Sequence, residues 1–100
     1  MKDEFIQSDS NVWISSRDID VNNIVYKNKY FCITKVIQYK RKTPIYYIWT
    51  FNNVCIGEIK WYAPWRKFCF HPYDETVWSN DCLLCVIDFI TTINNEYYNK

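Results

Sequence analysis

Between Phe31 and Pro72 the apolar residues fall in short runs separated by turn-forming residues. Phe31 to Tyr39 is rich in β-branched and aromatic side chains and reads as a strand. Lys40-Arg41-Lys42-Thr43-Pro44 then reads as a basic loop, and Ile45 to Phe51 as a second strand. Asn52-Asn53 separates it from a third, Val54 to Tyr62, because Asn tolerates the positive φ of a tight hairpin. Ala63-Pro64 predicts the next turn, since Pro fixes φ and lacks a ladder donor. A fourth strand, Trp65 to His71, is stopped by Pro72. Thr76-Val77-Trp78 reads as a short extended piece. Beyond it the period changes: Cys82, Val86, Phe89 and Ile93 recur at helical spacing, with Leu83, Ile87 and Ile90 beside them. Ser79 or Asn80 suits the helix cap and Asp81 its first turn, predicting a helix over residues 79–95. Residues 1–11 are polar and expected to be mobile. Residues 12–30, with apolar Val12-Trp13-Ile14 and Val21 to Tyr26, read as irregular with one or two short strands.

This order predicts an α+β, two-layer fold: a mostly antiparallel sheet of about four strands with one C-terminal helix packed on one face. Two-residue turns at Asn52-Asn53 and Ala63-Pro64 set Trp49 opposite Ile56, Ile48 opposite Gly57, Tyr62 opposite Trp65, Lys60 opposite Lys67 and Ile59 opposite Phe68. Tyr46, Ile48, Gly57, Ile59, Trp61, Phe68 and Phe70 then share the face the helix covers, with Gly57 at its centre, beneath the helix. Tyr47, Trp49, Phe51, Ile56, Glu58, Lys60, Tyr62, Trp65, Lys67, Cys69 and His71 share the other. A one-residue slip in either turn would exchange faces for a whole strand. Large aromatics on the second face imply a cover: the N-terminal segment, a second copy, or a partner.

Composition narrows the class. One hundred residues predict a single domain spanning 1–100, and 49% hydrophobic with 20% aromatic residues excludes a disordered chain. No apolar run reaches the ~20 residues of a membrane span, and Met1-Lys2-Asp3-Glu4 lacks the basic start of a secretory signal, so a cytosolic protein with no membrane partner is expected. Five cysteines there read as reduced thiols. The net charge of +1 is uneven: residues 31–70 carry seven Lys/Arg against Glu58 alone, and residues 71–100 carry Lys100 against five acids. Such asymmetry suggests an anionic partner, although solvated surface charge produces it too.

Candidate chemistry is sparse. Cys69-x-His71 with Cys82-x-x-Cys85 is the one candidate zinc set. The predicted faces put its halves on opposite sides of the sheet, so no metal and no other cofactor is expected. A catalytic pair would have to use His71, the single histidine, with Cys69; Asp74 and Glu75 are adjacent loop carboxylates; Gly57 is the single glycine, so no phosphate-cradling loop exists. A non-enzyme is expected. Aromatics interleaved with cations are more suggestive. Trp49, Tyr62 and Trp65 beside Lys60, Lys67 and Lys40, Arg41 and Lys42 form the candidate partner-binding set. They suit a protein contact or, alternatively, nucleic-acid or nucleotide binding.

Gly57, Ile59, Trp61, Tyr62, Trp65, Arg66, Phe68, Phe70 and Pro72, followed by Cys82, Leu83, Ile87, Phe89 and Ile90, resemble the pattern of a family of small bacteriophage and prophage proteins. The resemblance covers residues 54–94 and supplies no catalytic residue. It implies a phage origin and, because small phage proteins often inhibit host processes or antiviral defences, a binding protein that blocks a host protein or protein–nucleic-acid complex in the bacterial cytosol. Self-association is left open.

Overall fold

The computed structural model describes residues 21–99. The expectations for residues 1–20, including Trp13 and Ile14 as a cover for the sheet, lie outside them. A 3-10 turn, Val21–Asn23, leads into β1 (Ile24–Lys27), β2 (Cys32–Val36), β3 (Ile45–Trp49), β4 (Cys55–Tyr62) and β5 (Lys67–Pro72), and α1 (Asn80–Tyr98) follows. The strands form one antiparallel meander in the order β1-β2-β3-β4-β5. The α+β architecture therefore stands, with a fifth strand, β1, inside residues 12–30, where one or two short strands are expected. No helix among the described residues is long and apolar enough to cross a membrane.

The helix begins at Ser79, whose Oγ accepts from the Cys82 amide at 3.1 Å, and Asp81 lies in the first turn beside the positive end of the dipole. It runs to Tyr98, beyond the predicted end. Val86 and Ile93 are buried, and Cys82, Cys85, Phe89 and Ile90 pack beside them on Phe31, Ile33, Tyr46, Ile48, Ile59 and Phe68. Ile87, read as flanking this stripe, is instead exposed. Aromatic rings meet edge to face between the layers and beside them: Tyr46 of β3 lies 5.3 Å from Phe89 of the helix, Trp61 of β4 5.4 Å from Phe68 of β5, and Phe70 of β5 4.8 Å from Trp78 in the loop before the helix. Ile33, Ile48 and Ile59 are fully enclosed, each contributing about 1.5–3 kcal/mol of burial.

The predicted helix-facing set is the observed one, yet both turns differ from expectation. After β3, Asn53 donates to the Thr50 carbonyl and adopts φ 66°, making a three-residue loop in which Phe51 is exposed rather than in a strand. A bulge follows: Ile48 still pairs with Gly57, but Trp49 pairs with Cys55, and the extra residue, Ile56, packs against the core instead of lying on the second face. Between β4 and β5 the connection is a four-residue 3-10 turn, Ala63–Trp65 closed by Arg66. Trp61 therefore pairs with Phe68, Tyr62 with Lys67 and Ile59 with Phe70. The displacement from the expected pairing is two residues, and an even displacement leaves every side chain on its face. Trp65 is thereby moved out of the strand and into the turn. β2 is also shorter than expected, leaving Ile37 and Tyr39 in the following loop.

Gly57 sits on the helix side, but its close neighbours are strand atoms. A Cβ there would stand 3.1 Å from the Phe70 ring and 3.3 Å from the His71 carbonyl oxygen, so the crowding comes from β5 rather than from the helix. The outer edge of β5 is guarded by the helix: Asn94 accepts from the Phe68 amide at 2.8 Å and donates to its carbonyl at 3.2 Å, occupying both groups that a further strand would use.

Candidate binding surface

In an antiparallel meander alternate connections return to the same end of the sheet. The β2–β3 loop (residues 37–44) and the β4–β5 turn (residues 63–66) therefore lie together, and the antiparallel return of α1 brings its last turn to them. The Tyr98 hydroxyl donates to the Arg66 carbonyl, tying the turn to the helix. Tyr97 stacks obliquely on Trp61, with ring centroids 4.8 Å apart.

This end gathers Lys40, Arg41, Lys42, Arg66 and Lys67, all exposed. Among the described residues none of the five forms an ion pair; the ion pair present is Lys60 with Glu58 at 3.8 Å. Around the cations stand exposed aromatics. Trp65 is 66% exposed and meets Tyr62 edge to face at 5.1 Å, Tyr39 is 90% exposed with the Lys40 ammonium over its ring, and Tyr98 is exposed beside Arg66. Between loop and helix lies a cleft of about 320 Å³, lined by Arg41, Lys42, Thr43, Trp61 and Tyr97, with no carboxylate.

Two of the cations occupy strained backbone. Lys40 has φ 72° and Arg66 φ 55°, the left-handed region where a side chain costs about 1–2 kcal/mol and glycine is favoured. At the opposite end of the sheet Asn53 (φ 66°) and Glu75 (φ 61°) are left-handed as well, and Asn relieves part of that cost.

The sequence-predicted set divides on inspection. Lys40, Arg41, Lys42, Tyr62, Trp65 and Lys67 come together at this end. Lys60 lies one pleat inward on the second face, held to Glu58. Trp49 does not belong to the surface: it is 2% exposed within one copy of the chain, and its indole nitrogen donates to the buried Thr34 hydroxyl at 3.0 Å. Cys32 and Ile45 beside it are buried as well, so the second face is core at β2–β3 and opens only toward β4–β5. Arg66, Tyr97 and Tyr98 were missed; the parity of the meander, which puts the second and fourth connections at one end, was the signal that could have found them.

The open part of the second face carries a polar row, Tyr47 opposite Glu58 opposite His71. Burial, then the Lys60 charge, lowers the His71 imidazole below its ordinary value, against an opposing pull from Glu58. Its Nε2 is enclosed without a hydrogen-bond partner. Nearby, burial pushes the Cys55 thiol up to about 11 despite a hydrogen bond with Tyr73, so it is protonated at neutral pH, the reverse of an activated nucleophile. Cys69 and His71 lie on this side, whereas Cys82 and Cys85 pack into the core on the other. Among the described residues no three His, Cys, Asp or Glu side chains converge as metal ligands would. No family model, no curated protein and no solved structure matches this chain.

Proposed function

We propose that this chain is a non-enzymatic binding protein, of phage origin, that blocks a host macromolecule such as an antiviral defence complex in the bacterial cytosol, as an anti-CRISPR-like inhibitor would. Its contact surface is the end bearing Lys40, Arg41, Lys42, Tyr62, Trp65, Arg66 and Lys67. The observation that carries this reading is the exposed Trp65–Tyr62 pair standing among five cations that have no carboxylate partner among the described residues. Exposed tryptophan and arginine are the residues that dominate binding energy when a partner covers them. The phage origin and the inhibitory role rest on the resemblance of residues 54–94 alone.

The test is affinity capture from bacterial extract with the intact chain and two variants. Trp65→Ala should release the captured partner, a loss of about 2 kcal/mol or more, roughly thirtyfold in affinity. Lys67→Ala, at the rim, should cost less. Equal capture by all three would remove this end as the contact surface.

A further inference from the structure

We propose that the component engaged at this end is single-stranded nucleic acid, one nucleotide lying in the cleft between the β2–β3 loop and the helix C-terminus and the strand continuing round the end of the sheet to the Trp65–Tyr62 pair on its other side. The inference rests on the binding surface described above and names its ligand chemistry.

Three features favour nucleic acid over an acidic protein. The first is composition. Protein interfaces are depleted of Lys at their cores, whereas here Lys40 and Lys42 accompany Arg41 and Arg66 in the patch itself. Cations interleaved with exposed rings are the make-up of surfaces that track a phosphate chain and stack its bases. The second is the cleft. At about 320 Å³ it lies at the small end of ligand sites, which run roughly 300–1,000 Å³, and suits one nucleotide. Arg41 and Lys42 supply charge to a phosphate, the Thr43 hydroxyl a hydrogen bond, and the Trp61–Tyr97 pair an aromatic wall. The third is the absence of competing charge in the cleft, since none of its lining residues is acidic.

A groove of about 350 Å³ farther along the helix offers no such match, because Asp88 and Glu96 face Lys35 across it. Single strands are specified over duplex because the rings can stack only on unpaired, splayed bases.

The experiment uses the full chain and fluorescent oligothymidylate and oligouridylate of about 16 nucleotides, the upper range of a single-strand site, with a duplex of equal length as control. Binding is read by anisotropy across a salt series. The expected result is single-strand binding that weakens with salt at a log–log slope of about −0.7 per neutralised phosphate. Arg41→Ala with Lys42→Ala should flatten that slope, and Trp65→Ala should weaken binding about 5- to 150-fold. Lys29→Ala, at the opposite end of the sheet, should change neither. Tm measured on each variant separates lost contact from lost fold, and Lys67→Gln gives a second, independently exposed probe. Binding indifferent to these substitutions, equal affinity for duplex, or no binding at low salt would overturn the inference. If oligonucleotides fail while Trp65-dependent capture of a protein persists, the ligand chemistry is wrong and the contact surface stands. If Trp65→Ala changes neither, both fall.

Discussion

The two ends of this sheet are built from the same meander but spend their side chains differently. At the end holding the β1–β2 and β3–β4 turns and the helix N-terminus, small polar side chains are turned back onto the chain. Asn28 Oδ1 accepts from the amides of Tyr30 at 2.7 Å and Phe31 at 2.9 Å. The Thr50 hydroxyl accepts from Asn52 and Val54, and Ser79 caps the helix. At the other end neither the β2–β3 loop nor the β4–β5 turn shows a side-chain-to-backbone bond of its own among the described residues; Lys40, Arg41, Lys42, Trp65 and Arg66 point outward, and the turn is held from outside by Tyr98. One end satisfies its own backbone with its side chains, and the other leaves its side chains free; left-handed residues occur at both, Asn53 and Glu75 at the first and Lys40 and Arg66 at the second. Turns that keep their side chains free of the backbone leave them available for contact.

Substitutions should therefore separate the ends. Asn28→Ala strands two amides and should cost about 1–3 kcal/mol, seen as a melting temperature lower by roughly 4–8 °C per kcal/mol, with partner capture by the folded fraction unchanged. A neutral outcome would mean that the Asn28 bonds do not hold the turn. Arg66→Gly should do the opposite. Relief of the left-handed conformation offsets the greater freedom of glycine when unfolded, so stability should shift by less than about 1 kcal/mol while capture weakens. A large loss of stability would show that the Arg66 side chain serves the fold.

The smallest effect concerns the polar row between the ends. His71 is held neutral in the fold by burial and by Lys60. The unfolded chain takes up that proton first, so the contribution is fully present above about pH 6.5 and is lost as pH falls through the window down to the lowered folded value. Melting temperature should decline on acidification through this window, and less steeply in His71→Gln. An unaltered slope in that variant would place the acid sensitivity elsewhere.

Much of the layer structure was legible because face assignment depends only on parity. Gly57, Ile59, Trp61, Phe68 and Phe70 fall on the helix side whether the second turn has two residues or four, since the two pairings differ by an even number. The turns themselves were not legible. Arg66 carries no Gly or Asn signal for a left-handed position, so the four-residue turn was hidden and Trp65 was read as strand. The bulge at Ile56 leaves no local trace, because Val54-Cys55-Ile56 continues an ordinary strand pattern. Trp49 looked like a surface aromatic because the alternation of β3 cannot tell a face opened to a partner from one enclosed within the chain; its partner Thr34 is fifteen residues away. The candidate surface is half legible: six of the eight residues proposed from the sequence gather at one end of the sheet, Lys60 and Trp49 do not, and the four-residue turn that moves Trp65 makes it an end rather than a face.

The most direct test strips the charge from that end. In a chain with Lys40, Arg41, Lys42, Arg66 and Lys67 all replaced by Gln, the account predicts a melting temperature close to that of the parent, because none of these side chains supports the fold, and loss of the partner captured by the parent from bacterial extract. Undiminished capture by a folded variant would contradict it, as would a variant that no longer folds.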